Sequence, residues 1–134
     1  MTHRLILSAV ALAAIALAPG AASAQDAAAG EKVFKRCAAC HAVGPSAANK
    51  AGPELNGLVG RKIAGVADYS SYSDALKAFG EGKTWDEATL DKWFESPKTL
   101  VDGTSMAFAG LKKEDDRKNL IAYLAGFDES GASK

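Results

Sequence analysis

The densest chemistry in this sequence lies in Cys37-Ala38-Ala39-Cys40-His41. Two thiols three positions apart on a helical turn can each add to one vinyl group of a porphyrin. The histidine that follows then falls beneath the metal, where its imidazole can bind axially. Cys-x-x-Cys pairs also occur as redox dithiols and in zinc sites, so the rest of the residue inventory has to decide among the three.

Beyond residue 24 the chain holds two cysteines, one histidine (His41) and one methionine (Met106). A structural zinc site takes a full tetrahedral set of ligands, and two thiolates with one imidazole leave it short. A redox dithiol would sit beside a βαβ pattern, yet no alternating run of β-branched residues precedes Cys37. A disulfide would suit an exported chain but leaves the adjoining histidine unexplained. One covalent haem c, anchored through Cys37 and Cys40 with His41 on the iron, uses every residue of the motif. Met106 becomes the candidate for the opposite axial position. A lone methionine in a loop is ordinarily gap-filling core; the upstream motif and the lack of any other methionine in the mature chain favour ligation. A His/Met pair is the axial set of haem proteins that carry electrons, and the thioether raises the potential.

Residues 1–24 read as a secretory leader. They hold Arg4, an apolar run from Leu5 to Ala18, the Pro19-Gly20 break and the small residues Ala22-Ser23-Ala24, with cleavage expected after Ala24. The apolar run of 14 residues is short against the roughly twenty of a membrane span. A retained leader would give a membrane-tethered form with the same haem chemistry. The remaining 110 residues, 25–134, make one domain with a modest core. A buried haem would add apolar volume to it, and the apoprotein is expected to fold poorly. Without Arg4, 15 Lys and Arg face 16 Asp and Glu, a net charge of −1. No global field selects nucleic acid, and a monomer is the default.

The elements that must position these groups are helical. Asp26 is a candidate N-cap for a helix running to about Cys40, with Gly30, Val33, Phe34 and Cys37 on one face. Gly30 costs about 1 kcal/mol against alanine there, consistent with a backbone passing close by or with a merely tolerated glycine. From Ala42 to Gly65, Gly44-Pro45, Gly52-Pro53, Gly57 and Gly60 break any period. Leu55, Leu58 and Val59 suggest that part of this loop is buried, and a carbonyl from it is expected to accept the second ring N–H of His41. A short helix is expected over Ser73 to Phe79. Another begins at Thr84-Trp85-Asp86-Glu87, read as a capping box with Thr84 at the N-cap, and ends at Ser96-Pro97. It carries Leu90, Trp93 and Phe94 on one stripe, and both Trp85 and Trp93 read first as core. Lys98 to Gly110 shows no helical period and contains Met106. The last helix is expected from about Lys113 to Ala125, with Asp115 and Asp116 in its first turn. Leu120, Tyr123, Leu124 and Phe127 share a face, Gly126 is the expected stop, and the tail from Asp128 is expected to fray. With no repeat and no strand signal, the class is all-α.

Nearly all of the chain beyond the leader resembles a class I cytochrome c, most similar to bacterial cytochrome c2 and mitochondrial cytochrome c. The resemblance rests on an ordered set: the Cys37 to His41 motif, Gly52-Pro53-Glu54-Leu55-Asn56-Gly57-Leu58-Val59-Gly60-Arg61, Thr104-Ser105-Met106-Ala107-Phe108-Ala109-Gly110, and Leu120-Ile121-Ala122-Tyr123-Leu124. It implies about four helices and irregular loops wrapped around one covalent haem c. It places Gly30 and Phe34 against Leu120 and Tyr123 where the first and last helices cross, and gives the Pro53 carbonyl to His41. Arg61, Tyr72 and Trp85 resemble partners of the buried haem propionates, with Thr104 near the same end and Phe108 by the exposed haem edge. Leu76, Trp93 and Ser105 depart from the mitochondrial pattern, where asparagine, tyrosine and lysine are usual, and two extra residues fall between Asp74 and Trp85.

The function this resemblance implies is a periplasmic one-electron carrier, not an enzyme, running between a cytochrome bc1-type donor and a terminal oxidase or photosynthetic reaction centre. Docking on those membrane complexes would be transient and would use a basic face with Arg36, Lys98, Lys112 and Lys113. A haem enzyme or gas-binding protein with an open sixth position is the competing class. It would need Met106 off the iron and a distal acid–base residue, and the mature chain's one histidine is already committed.

Overall fold

The computed structural model describes residues 25–134; the expected leader lies outside them. Five helices follow one another: α1 Ala27–Phe34, α2 Asp74–Gly80, α3 Glu87–Glu95, α4 Pro97–Leu100 and α5 Glu114–Ala125. Among the described residues extended pairing is confined to two isolated bridges, Lys62 with Thr84 and Phe127 with Ser133. No helix among them is long and apolar enough to cross a membrane.

The first and last helices brace each other. Asp26 caps α1, its carboxylate accepting from the Ala28 and Ala29 amides at 2.9 and 3.2 Å. Its own amide donates to Asn119 on α5 at 2.9 Å. Gly30 faces α5 so closely that a Cβ there would run into the Asn119 carbonyl and the Cβ of Tyr123. This decides the role of the glycine: its helix penalty is accepted because only a bare Cα permits the crossing. Phe34 then packs on Tyr123 at 5.6 Å between ring centroids, and Tyr123 on Phe127 at 5.2 Å. α1 is shorter than expected. After Phe34 the amides of Arg36, Cys37 and Cys40 bond three residues back, to Val33, Phe34 and Cys37. The expected helix to Cys40 is therefore replaced by tighter turns.

The middle of the chain corrects the sequence reading in two places. Ser73 caps α2 through the Leu76 amide, at 3.1 Å, but Thr84 does not cap α3. The Gly60 amide donates to the Trp85 carbonyl at 2.7 Å and the Trp85 amide to the Arg61 carbonyl at 2.8 Å. This pairing holds Thr84 and Trp85 extended, so the helix begins two residues later. Asp86 is the cap, accepting from the Thr89 amide at 2.7 Å. At the other end Ser96-Pro97 stops α3 and at once starts another turn. Ser96 accepts from the Thr99 amide and Pro97 occupies the first position of α4, where its missing N–H costs nothing. Part of the stretch read as aperiodic is thus helical.

The C-terminus is not frayed. The Asp128 carboxylate accepts from the amides of Ser130 and Ala132, and the Lys134 amide returns to the Gly126 carbonyl. Gly131, at φ +82°, lies against the Gly44 backbone, where a Cβ has no room. Gly126 ends α5 as its C-cap, as expected, in a right-handed conformation at φ −75°.

Replacing Gly30 by valine should lower holoprotein stability by about 1–3 kcal/mol or more, the range for overpacking, read from the denaturant midpoint. A second outcome concerns acid. Hydrogen bonding from the Thr89 side chain and amide holds the Asp86 carboxyl below the usual aspartate value. The stability this contributes is present above the unfolded value of about 3.9 and fades as pH falls through the lower folded one. Asp86→Asn, which keeps a cap but does not titrate, should therefore lose less of its denaturation midpoint than wild type between about pH 6 and about pH 2.

Candidate functional site

The apolar faces of these helices and loops do not close on one another but surround a cavity of about 340 Å³, within the range of cofactor pockets. Leu58, Leu90, Leu120 and Leu124, each almost fully buried, make its apolar walls. Cys37, Cys40, His41, Pro53, Arg61, Tyr72, Trp85, Thr104 and Met106 all line it. The structure therefore brings these nine cofactor-binding candidates to one space, from five separate stretches of chain, while Lys98, Lys112 and Lys113 lie outside it.

The attachment motif sits at the wall where the turns after α1 deliver it. Cys37 is half-buried and Cys40 exposed, and both thiols are free. Burial pushes the Cys37 thiol up from its ordinary pKa, Arg36 lowering it less and Cys40 adding a smaller rise. His41 Nδ1 lies 2.7 Å from the Pro53 carbonyl oxygen. A carbonyl can only accept, so Nδ1 carries the hydrogen and the Nε2 lone pair is left for a metal. Burial lowers the His41 pKa, the Pro53 bond opposes this, and the Arg61 charge lowers it further. The ring is thus neutral at neutral pH, as a ligand must be. The loop opposite is shaped around it: the Gly52 amide bonds the Cys40 carbonyl and the Leu55 amide the Ala42 carbonyl, each at 2.9 Å. A Cβ on Gly52 would overlap the imidazole.

Arg61 marks the polar end. Its Nη1 donates to the Glu54 and Asn56 carbonyls at 2.9 and 3.0 Å and lies 3.6 Å from the Glu54 carboxylate. Its Nε is buried and has no acceptor in the protein. A buried donor at a cavity wall is costly unless a ligand supplies the acceptor. Burial lowers the Arg61 pKa and Glu54, Tyr72 and Glu129 draw it back up; a guanidinium stays charged regardless. Tyr72 accepts the Val66 amide at 3.1 Å, and Trp85 is buried against Trp93 with centroids 5.2 Å apart. Met106 is half-buried on the far segment, its amide bonded to the Thr104 hydroxyl at 3.3 Å.

Sequence reasoning missed three participants. Tyr69 lines the cavity, packs edge-on against Tyr72 at 4.7 Å, and donates its hydroxyl to the Ala51 carbonyl at 2.7 Å. Asn56, 6% exposed, exchanges two 2.9 Å bonds with the Gly44 backbone. Arg117 is buried behind the Met106 segment. Only Arg117 left a trace: it stands at i to Leu120, Ile121 and Leu124 at i+3, i+4 and i+7, in the register of an apolar stripe.

Two thiols, a neutral imidazole, apolar walls and a buried guanidinium whose Nε has no acceptor fit a haem, with vinyl groups for the thiols, iron for the imidazole and an anionic propionate for Arg61. Comparison with known proteins agrees. The family model for cytochrome c matches residues 27–127. Cytochrome c-550 of Bradyrhizobium diazoefficiens is 52% identical over 108 residues, covering 81% of this chain and 77% of that protein. Cytochrome c2 of Blastochloris viridis is 48% identical over 113 residues, 84% of this chain and 87% of its own. The solved structure of cytochrome cH from Methylobacterium extorquens superposes with a TM-score of 0.67 at 46% identity, covering 74% of this chain and 96% of that one.

In the haem-loaded protein Arg61→Gln should lower the reduction potential, because a fixed positive charge at the cavity favours the more negative, reduced state. A differential interaction of about 1 kcal/mol corresponds to about 43 mV for one electron. Equilibrium redox titration should therefore show a fall of tens of millivolts.

Proposed function

The chain belongs to the cytochrome c family and carries haem c, with Cys37 and Cys40 in the attachment positions; on that premise we propose that it is a mobile one-electron carrier of the periplasm with His41 and Met106 as the axial pair. The single observation that carries this reading is that the mature chain's one histidine and one methionine, from opposite ends of the sequence, line the same cavity.

The haem supplies a one-electron couple at iron; the chain's own residues determine how it is held. Cys37 and Cys40 fix the macrocycle covalently, and Pro53 fixes the tautomer and direction of the His41 ring. Met106 would supply the second ligand, and a metal held by both residues would have no site left for a substrate. Apolar walls exclude water, which keeps the surroundings alike in both oxidation states. Electrons leave where the cavity is open. Cys40 and Ala107 are exposed there, Phe108 is half-buried, and Arg36 lies over its ring at 5.7 Å.

Arg36, Lys98, Lys112 and Lys113 are all exposed and form the docking face we propose for acidic patches on larger complexes. Glu114, Asp115 and Asp116 follow directly on Lys113, so the positive field is local. The partners proposed are a bc1-type donor and a terminal oxidase or photosynthetic reaction centre. The leader-like residues 1–24 support export and cleavage after Ala24.

Optical spectra of the purified ferric holoprotein test the ligation. Wild type should show the weak long-wavelength band of methionine sulfur on ferric iron, and Met106→Ala should abolish it, bind CO when reduced and lower the potential. A wild type without the band that binds CO readily overturns the carrier reading in favour of an open-site haem protein.

A further inference from the structure

Arg117 is a buried charge, 7% exposed, set into the apolar stripe of α5. Such a group persists only where its donors are met. Its Nε donates to the Asp91 carboxylate on α3 at 2.7 Å, while Nη1 reaches past both helices to the Leu111 and Lys112 carbonyls at 3.0 and 3.2 Å. Those carbonyls close the segment that carries Met106. Three further contacts gather at the same point. The Leu111 amide donates to the Phe94 carbonyl at 2.7 Å, the Lys112 ammonium to the Glu95 carbonyl at 3.0 Å, and Gly110 lies on the Glu95 carbonyl with no room for a Cβ. At its other end the segment is tied by the Met106 amide to Thr104 and the Thr104 amide to Val101. Ser105 to Ala109 therefore form a span held mainly at its two ends.

We propose that Arg117 is a positioning residue that latches the Met106 segment shut. The inference rests on Met106 being the axial ligand. Lifting the segment pulls the Leu111 and Lys112 carbonyls off the guanidinium and leaves a buried cation with Asp91 alone. That cost falls on the open state only, so Arg117 sets how rarely Met106 leaves the metal. A guanidinium is suited to this because its fork reaches a carboxylate on one helix and two backbone carbonyls at once, which a lysine's single ammonium cannot do in the same geometry.

The test is competition by free imidazole for the ferric holoprotein, followed through loss of the long-wavelength band. Imidazole can bind only when the segment has opened, so its apparent affinity is the intrinsic affinity scaled by the open fraction. Arg117→Gln should raise that affinity by about tenfold or more, and Arg117→Lys should raise it by a smaller factor. Should the glutamine variant fail to hold haem, the lysine variant carries the test. Ile63→Ala is the control: it cuts a buried side chain outside the haem cavity, lowers global stability, and should leave imidazole affinity within about twofold. An unchanged affinity in the arginine variants overturns the latch. So does a rise in Ile63→Ala that matches theirs for the same loss of stability, since Arg117 would then be merely structural. Absence of the band from wild type is a separate failure, that of Met106 ligation itself, and removes the latch with it.

Discussion

An imidazole offers a metal one nitrogen at a time, and the hydrogen on the other nitrogen needs an acceptor that does not move. In this chain the acceptor is the Pro53 carbonyl, and a large part of the irregular loop exists to keep it there. The Gly52 and Leu55 amides tie the loop to the backbone on either side of His41. Tyr69 holds the Ala51 carbonyl from outside, and Asn49 accepts the Glu54 amide from within. The loop has no regular secondary structure because its backbone polar groups are spent on the histidine's surroundings rather than on a ladder.

The same requirement shapes the core. Leu58, Leu90, Leu120 and Leu124 would in another small domain meet each other; here they face a cofactor. Protein-to-protein packing continues around the cavity, in the crossing of α1 and α5, in the Trp85–Trp93 pair and through Ile63, Phe94, Val101 and Leu111. The polar groups that are buried all serve connection. Arg61 joins Glu54 and Asn56 to the cavity, Asn56 pins Gly44, and Arg117 joins α3, α5 and the Met106 segment.

Much of the site was legible because covalent attachment and metal ligation demand particular residue types at fixed spacing. Cysteine, histidine and methionine are scarce in this chain, so their roles could be argued almost by inventory. The helices were legible where local rules act alone, as with Asp26 at the cap of α1. They failed where a distant strand of backbone intervened. Nothing local distinguishes Thr84 from Asp86 as a cap; the pairing with Arg61 does. Nor does the composition of Asp128 to Lys134 reveal that Gly44 waits to receive Gly131. Arg117 showed only its place in the apolar register of the last helix, since its acceptors lie on another helix and on a loop. Those failures are long-range, whereas the missed α4 turn and the early end of α1 are local.

The bond between Asp26 and Asn119 spans 93 positions of the chain. Bringing such distant points together costs about 4 kcal/mol of chain entropy on a logarithmic scaling, before the constant of closure is added. The brace between α1 and α5 cannot form until α5 exists, so a chain still being made has its first helix without a partner. Completion of this brace therefore waits for the last helix. Until then Cys37 and Cys40 follow a helix without its brace, and closure of the two ends half-buries Cys37 while Cys40 stays exposed.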